Sequence, residues 1–426
     1  MNPILDLKEY IPDVEAHVFS DGRLYLYGSM DICGRDEWCS RKYKVFSTDD
    51  MVHWTDHGVS FDTQAGQAGI FVDSILYAPD CVEKDGKYYL YFCTAVSEGK
   101  GITNGEGVAV SDQPFGPFGE AVPIPFANGD GIDPAVFRDD DGEVYLYWGQ
   151  HELRGAKLKK NMREIEEETL HKNLIDEDGF GFHEGSSMRK RNGIYYIIYA
   201  DDSSGLPTRL SYVMGKTPFG PFDRKGIIID NLGCDPWAWN NHGSIVEYNG
   251  QWYVFYHRQT RSSKYNRRVC VEPIYFNEDG SIRRVEMTTQ GIDGPIPPDT
   301  RMEAGRACQL GAGAYIEREG EEEYIRVVND GDSAVYKYYN FDRAYHRFSI
   351  TLKGALREGN IEVRLDHEAG ELLGCCRIFP GEEAERWSTF SCELSRAEGV
   401  HALCLVFRGS GKELYQVRDF CFQRKG

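Results

Sequence analysis

The sequence has no long apolar run, and it has fewer positively charged than negatively charged residues. No stretch reaches the roughly 18 apolar residues that a membrane-spanning helix needs. The opening residues, MNPILDLKEYIPD, lack a basic segment followed by an apolar one, so we expect no signal peptide and a cytoplasmic location. With 48 Lys and Arg against 68 Asp and Glu, the formal net charge is −20. This negative charge disfavours nucleic acid and membrane as partners and is compatible with a neutral ligand such as a carbohydrate. The sequence does not indicate an oligomeric state.

Paired cysteine motifs are also missing. The twelve cysteines are scattered, and none forms the C-x-x-C spacing typical of zinc sites. We therefore interpret them as reduced, buried apolar side chains. Helical periodicity is scarce as well. Residues 158–169, LKKNMREIEEET, are charged nearly all round, which suits either a helix or a solvated turn.

What the sequence does contain is a repeat of Asp-Gly or Asn-Gly followed by alternating aromatic and β-branched residues. Successive starts lie 51 to 64 residues apart. Each dipeptide favours a tight two-residue hairpin, and five copies at this spacing predict an all-β propeller with five blades rather than a β-sandwich. The copies are DGRLYLYGS from Asp21, DGKYYLYFC from Asp85, DGEVYLYWG from Asp141, NGIYYIIYA from Asn192 and NGQWYVFYH from Asn249.

Acidic residues precede three of these hairpins at the same distance. Asp13, Asp133 and Glu184 each stand eight residues ahead of their turn, Tyr77 has this offset in the second repeat, and His242 stands seven ahead in the fifth. Repeats place equivalent positions around one axis, so we expect the three acids to meet at one end of the innermost strands.

Three carboxyl groups in one hollow would repel one another and raise at least one pKa, which is typical of functional sites. Taken singly, an Asp before a turn usually caps backbone N–H groups. Two carboxyl groups that face a sugar suit glycoside hydrolysis, because one protonates the leaving oxygen and the other activates water or attacks the anomeric carbon. A third can position the proton donor and keep its pKa high.

The motifs resemble those of glycoside hydrolase family 43, whose members are five-bladed propellers acting mainly on arabinose- and xylose-containing glycans with inversion of configuration. The resemblance runs from residue 2 to about residue 291. The matching segments are NPIL, PDVEAHVF, YAPD, DGIDPAVFRDDDGEVYLYWG, HEGSSMRKRNGIYYIIY, HGSIVEYNGQWYVFYHR and RRVCVEPIYFNEDGSIRRVEMTTQG.

The resemblance implies roles for the three acids. Asp13 matches the general base and Glu184 the general acid, while Asp133 matches the residue that tunes and orients the acid. Val14 follows Asp13 where many members have proline, so the backbone near Asp13 is expected to differ. For an inverting reaction the carboxyl groups of Asp13 and Glu184 should stand roughly 6.5–9.5 Å apart.

The resemblance also implies binding residues. His242 matches an axial histidine near a hydrated calcium or sodium ion in the central channel, and no organic cofactor is expected. The pair at 267–268 matches a substrate-contacting arginine, and we favour Arg268. Trp237 and Trp239, just ahead of His242, either line the pocket mouth, where sugars stack on aromatic rings, or pack between blades. Tyr77 is expected beside the substrate.

The repeat pattern ends near Gly291. We place the propeller at residues 1–293, a Pro-rich linker, GPIPPDTR, at 294–301, and a β-sandwich of jelly-roll type at 302–426. The third segment resembles family 6 carbohydrate-binding modules through YIRVVNDGDSAVYKYYNF, GNIEVRLDHEAGELLG, GVHALCLVFRG and VRDFCF. Gly305 stands where such modules carry a calcium-site glutamate, which argues against a structural calcium. Sugar binding and bracing of the propeller both remain open for this domain.

The sequence thus predicts an inverting exo-glycosidase that releases terminal α-L-arabinofuranosyl or β-D-xylosyl residues from plant-derived oligosaccharides. An endo-arabinanase and a non-catalytic sugar-binding propeller are the alternatives. We favour the exo mode because a long insert at residues 30–76, with Trp38 and Phe71, can wall off one side of the site.

Overall fold

The computed structural model describes residues 1–66, 68–95, 105–125, 131–235, 237–355, 357–381 and 385–424. No helix in these ranges is long and apolar enough to cross a bilayer. The first part of the described chain forms five antiparallel sheets in succession. Their strands are β1 (Glu15–Val18), β2 (Leu24–Gly28), β3 (Lys42–Thr48) and β4 (Thr55–Asp62); β5 (Ile75–Leu76), β6 (Asp80–Lys84), β7 (Lys87–Ala95), β8 (Gly105–Ser111) and β9 (Gly119–Pro123); β10 (Ala135–Arg138), β11 (Val144–Trp148) and β12 (Arg154–Lys157); β13 (Phe182–Arg191), β14 (Ile194–Asp201), β15 (Arg209–Gly215) and β16 (Phe222–Asp230); and β17 (Ser244–Tyr248), β18 (Gln251–Thr260) and β19 (Ser263–Ile274).

The five sheets close into a ring. The innermost strands contact one another in the order β1, β6, β10, β13 and β17, and β17 returns to β1. The extreme N-terminus completes the closure, because the Ile4 N–H donates to the Val269 carbonyl of β19 at 3.2 Å and the Val271 N–H donates to the Asn2 side chain at 2.9 Å. The described sheets therefore have the propeller arrangement that the repeats predict.

The hairpins differ in length between sheets. At residues 85–86, 192–193 and 249–250 the turn is the expected two-residue type, and its first residue has a left-handed φ of 50–52°. In the first and third sheets this prediction is wrong. There Val18 pairs with Leu24 and Arg138 pairs with Val144, which leaves five-residue loops. The glycine N–H of each loop donates to the carbonyl three residues earlier and closes a wider turn.

A buried polar cluster links four sheets near the middle of the ring. Asp80 accepts hydrogen bonds from the Val136 N–H at 2.7 Å and contacts His17 Nε2 at 2.5 Å, while Arg189 donates to Glu15 at 2.7 Å. Burial raises the pKa of both carboxyl groups, Glu15 and Asp80, to about 7. Because buried polar groups are costly to leave unpaired, this cluster fixes how the blades dock on one another.

Most of the cysteines are buried, and the charged segment at residues 158–169 is not an α-helix. Eight of the twelve cysteines are buried, while Cys33 and Cys375 are exposed. Residues 158–169 contain a single 3₁₀ turn (Glu167–Thr169), and Leu158 forms a bridge with Ile165. The turn is therefore the correct alternative for this charged segment, but the segment is not solvated throughout, because Leu158, Met162 and Ile165 are buried.

The second part of the chain is a β-sandwich of two antiparallel sheets around one apolar core. Its strands are β20 (Met302–Glu303), β21 (Gln309–Gly311), β22 (Tyr315–Glu319), β23 (Glu322–Val327), β24 (Ser333–Phe341), β25 (Tyr345–Lys353), β26 (Gly359–Leu365), β27 (Leu372–Ile378), β28 (Ser388–Glu393), β29 (Gly399–Gly409) and β30 (Tyr415–Arg424). One sheet has the order β22-β23-β30-β25-β28 with β20 beside β30, and the other has the order β21-β24-β29-β26-β27. Besides the turn at Glu167–Thr169, three short helical turns complete the described chain: Gly69–Phe71, α1 (Glu177–Phe180) and Ala304–Arg306.

The segment between the domains is packed against the sandwich. Ile296 is buried in the sandwich core, and its N–H donates to the Tyr338 carbonyl at 2.7 Å. The Arg258 guanidinium of β18 reaches across to the Ala307 carbonyl at 2.9 Å. The two domains thus share a polar, hydrogen-bonded interface, and the linker is not a free tether.

Candidate active site

The three acids occupy equivalent places in their hairpins. Glu184 pairs with Ala200, which lies eight residues after its turn dipeptide. Extending the pairing of the other two hairpins by two residues puts Asp13 opposite Ser29 and Asp133 opposite Gly149, which also lie eight residues after the first residue of their turn dipeptides. The fourth sheet has a shorter turn, and a bulge between residues 184 and 187 compensates for it.

One cavity of about 240 Å³ at this end of the ring receives all three carboxyl groups. Asp13, Asp133 and Glu184 are each at least nine-tenths buried. The cavity is lined by Asp13, Trp38, Cys39, Tyr77, Ala78, Ile132, Asp133, Gln150, His183, Glu184, Trp239, Asn240, His242 and Arg267.

Asp13 is held as a carboxylate. Its backbone is left-handed, with φ of 55°, and its N–H donates to Nδ1 of His257 at 3.3 Å. The Arg267 guanidinium donates to Asp13 Oδ1 at 2.8 Å. Burial opposes ionisation, but the charge of Arg267 outweighs it and holds the pKa of Asp13 below its usual value.

Glu184 has the opposite character. Burial and the nearby carboxylate of Asp13 raise its pKa, so it retains a proton at higher pH than an exposed glutamate. Gln150 donates a hydrogen bond to Glu184 Oε2 at 2.8 Å and fixes the side chain. The cavity therefore contains one carboxyl group suited to accept a proton and one suited to donate a proton.

Asp133 interacts electrostatically with both of these groups. Burial, together with the charges of Glu184 and Asp13, raises its pKa well above the usual value. Its N–H donates to Cys93 Sγ at 3.3 Å, and its carboxyl group accepts a hydrogen bond from the Gly185 backbone N–H. Asp133 is thus joined to the residue that follows Glu184, which suits a positioning role.

The structure corrects our choice between the two arginines. Arg267 lines the cavity, and it makes two hydrogen bonds to Asp31 besides the one to Asp13. Arg268 points the other way, because neighbours on a strand face opposite sides, and it pairs with Glu323 of the sandwich. A Cβ added at Gly305 would lie 2.0 Å from a carboxylate oxygen of Glu323, so a larger residue there would displace the Glu323 side chain from its contact with Arg268.

This correction leads to a matched pair of variants. Arg267→Lys is expected to move the acid limb of the kcat/KM profile to higher pH, by about 1 unit, because a lysine cannot hold both Asp13 and Asp31 as the guanidinium does. Arg268→Lys is expected to leave that limb in place and to lower the melting temperature only. The measurement is the pH dependence of kcat/KM for both variants. Equal shifts in the two profiles would refute the assignment of Arg267 to the cavity.

Some of the predicted aromatic residues line the cavity and others do not. Tyr77 and Trp239 line the cavity as expected. Trp237 does not line the cavity; it is 52% exposed. Trp38 is a lining residue whose position the insert at 30–76 suggested, and its ring lies 4.7 Å from the Arg267 guanidinium.

The insert itself differs from the expectation. It contains β3 and β4, the outer strands of the first sheet, and Phe71 is buried in the core against Phe92 rather than beside the cavity. The sequence predicts neither Gln150 nor His183 as a site residue, although both line the cavity. Gln150 directly follows the strand end that faces Asp133, which is the signal that could have identified it.

His242 lies on the cavity wall, and its Nδ1 is 4.0 Å from Asp133 Oδ2. Its ring packs on Gly185, where a Cβ would come within 2.9 Å of the imidazole. Burial lowers the pKa of His242, which leaves a neutral imidazole able to act as a ligand. Among the described residues, no group of three ligand side chains includes His242, so the surroundings fit a hydrated cation with one imidazole ligand and not one enclosed by protein oxygens.

Comparison with known families agrees with this geometry. The model of glycosyl hydrolases family 43 matches residues 1–282, and that of carbohydrate binding module (family 6) matches residues 306–424. A xylosidase/arabinosidase of Thermoclostridium stercorarium is 32% identical, over 99% of this chain and 98% of its own length. An arabinoxylan arabinofuranohydrolase of Bacillus subtilis is 27% identical, over 96% of this chain and 90% of its own.

Solved structures are similar as well. The Bacillus subtilis arabinoxylan arabinofuranohydrolase in complex with cellotetraose covers 100% of this chain and 97% of its own, with a TM-score of 0.56 and 26% identity. A β-xylosidase/α-arabinofuranosidase from a compost microbial metagenome, in complex with xylotriose and in a calcium-free form, has a TM-score of 0.58 and 32% identity. It covers 67% of this chain and 97% of its own.

Proposed function

The chain belongs to glycosyl hydrolase family 43, and on that premise we propose that it is an exo-acting, inverting glycosidase that releases terminal α-L-arabinofuranosyl or β-D-xylosyl residues from oligosaccharides. The observation that carries the proposal is the pair of buried carboxyl groups, Asp13 and Glu184, whose pKa values are moved in opposite directions within one cavity. The names of the relatives matched over nearly the whole chain support the same two sugars.

In the proposed reaction Asp13 takes a proton from the attacking water. A base must be ionised before the reaction begins, and the Arg267 guanidinium keeps it so. Arg267 is itself fixed by Asp31, which is buried, so the base has a rigid support. The water then attacks the anomeric carbon from the side opposite the leaving group, and the configuration is inverted.

Glu184 protonates the departing glycosidic oxygen. An acid must hold its proton until the bond breaks, which burial favours. The Gln150 side chain and the Asp133–Gly185 hydrogen bond hold the segment that carries Glu184. Asp133 acts as a positioning residue, and it opposes the ionisation of Glu184 once it has itself become a carboxylate.

The exo mode is supported by the enclosure of the cavity. Trp38 and Trp239 flank the Lys264 ammonium group, which lies 5.5 and 5.0 Å from their rings, and together they make one wall. A cavity of about 240 Å³ with such a wall suits one terminal sugar ring better than an extended chain.

A substrate panel tests the function. We expect release of nitrophenol from α-L-arabinofuranoside or β-D-xyloside, and no depolymerisation of linear arabinan. The anomeric configuration of the first-formed sugar, followed by proton NMR, should be inverted. Hydrolysis of linear arabinan would instead support the endo mode, and inactivity on every sugar would support a binding propeller.

The pH profile tests the role of Asp133. Activity should fall at low pH as Asp13 gains a proton and at high pH as Glu184 loses its own. In Asp133→Asn the alkaline limb of kcat/KM should move to lower pH, by about 1 unit, because in the alkaline range, where both groups lose their protons, the Asp133 and Glu184 carboxylates repel each other, and the substitution removes that repulsion. The measurement uses an unactivated oligosaccharide, for which proton donation matters. An alkaline limb that stays in place would contradict this role.

A calcium or sodium ion near His242 is part of the proposal. The imidazole of His242 would be its protein ligand, and the bound ion would supply positive charge beside Asp133. We expect the kcat/KM of the wild type to fall several-fold after chelation in sodium-free buffer and to recover on addition of calcium or sodium. His242→Ala should be insensitive to both treatments. Equal sensitivity of the variant and the wild type would remove His242 from the ion site.

A further inference from the structure

Four possible metal ligands lie together just outside the cavity. His151 follows β11, Glu177 is in α1, His183 is in β13, and Asp202 follows β14. His151 Nδ1 is 3.0 Å from Glu177 Oε2, and His183 Nδ1 is 3.3 Å from Glu177 Oε1 and 3.4 Å from Asp202 Oδ2. Ligand atoms of His151, Glu177 and His183 all lie within 4.8 Å of one another.

These spacings match a small tetrahedral ion. Donor atoms about 2.0–2.2 Å from a zinc ion are about 3.3–3.6 Å from one another when the geometry is tetrahedral. Two imidazole nitrogens with carboxylate oxygens are a donor set typical of zinc and related first-row ions. We propose that His151, Glu177, His183 and Asp202 form a binding site for a divalent transition-metal ion of the zinc type, separate from the ion near His242.

The backbone prepares this arrangement. The His151 N–H donates to the His183 carbonyl at 2.8 Å, and the Glu177 N–H donates to the His151 carbonyl at 2.9 Å. The three segments are therefore tied together whether or not an ion is bound. With both imidazoles neutral, the carboxylates of Glu177 and Asp202 leave two negative charges, which a divalent ion balances.

The position is also accessible. The side chains of His151 and Glu177 are 54% and 38% exposed, so an ion can enter from solvent without unfolding of the ring. His183 connects the site to the cavity, since it lines the cavity and its Nε2 lies 3.9 Å from Glu184 Oε2. A bound ion would join the segment that carries Gln150 to the strand that carries Glu184.

The test compares zinc binding in four forms of the full chain, each stripped with a chelator. Zinc affinity is measured by competition with a chromophoric chelator, and the melting temperature is measured with and without zinc chloride. The wild type should bind a single equivalent and melt at higher temperature with zinc. His151→Ala and Glu177→Gln should bind at least about tenfold more weakly. The control His53→Ala removes an exposed histidine paired with Asp50 and should match the wild type.

Each outcome decides the proposal. His151→Ala should keep wild-type activity on a nitrophenyl glycoside without zinc, because His151 is not a lining residue. Such activity also shows that the variant folds, and it tests the proposed function independently of the ion. Equal zinc affinity in the wild type and His151→Ala, or no rise in the melting temperature of the wild type, would overturn the site. A response to calcium alone that His151→Ala abolishes would overturn its assignment to transition metals.

Discussion

Glu184→Gln is expected to hydrolyse xylobiose about 10²- to 10⁴-fold more slowly than the wild type and to lose much less activity on an aryl xyloside. Glutamine keeps the shape of the side chain and the contact with Gln150 but carries no acidic proton. A sugar leaving group needs that proton, whereas a nitrophenolate is stable enough to leave without it. The measurement is kcat/KM on both substrates for the same enzyme preparation.

A matched control separates this effect from a loss of folding. Glu164→Gln makes the same chemical change at an exposed position paired with Lys159, and it should retain wild-type kcat/KM on both substrates. The melting temperature of Glu184→Gln should remain close to that of the wild type. If xylobiose and the aryl xyloside suffered equal losses, Glu184 would not be the proton donor.

Asp13→Asn is expected to lose at least about 10²-fold on both substrates, because water must be activated whichever leaving group departs. This lack of dependence on the leaving group distinguishes a base from an acid. Arg267 keeps its two hydrogen bonds to Asp31 in the variant, so the guanidinium is not left unpaired. The measurement is again kcat/KM on xylobiose and the aryl xyloside.

The control for this variant is Asp21→Asn, in the turn of the same hairpin. Its side chain accepts hydrogen bonds from the Arg23 N–H and from Tyr25, so some loss of stability is expected but no loss of turnover. Retention by Asp13→Asn of more than about a tenth of wild-type kcat/KM on either substrate would contradict its role as the base.

The sequence predicts the propeller because its information is periodic. Turn dipeptides and aromatic alternation recur, and such local signals survive without knowledge of tertiary contacts. The widths of the turns are less predictable. The loops of residues 19–23 and 139–143 have the same dipeptide as the tight turn at 85–86, but they close through different backbone hydrogen bonds.

The sequence predicts only those site residues whose position recurs from one repeat to the next. Asp13, Asp133 and Glu184 could be found because their offset from the turn is shared, even though a bulge produces that offset in the fourth sheet. Arg267 has no counterpart in the other repeats. Choosing it over Arg268 requires knowing which face of β19 meets the first sheet and which meets the sandwich, and this depends on packing across the chain.

The closure of the ring determines when the active site is completed during synthesis of the chain. Asp13 and Arg267 are 254 residues apart in the chain, and they meet only once the fifth sheet docks on the first. Asp13 emerges from the ribosome early in synthesis. Its carboxylate has no guanidinium partner until the fifth sheet, which carries Arg267, has also emerged. Hydrolytic competence therefore appears late in biosynthesis and all at once, when the N-terminal residues close onto β19.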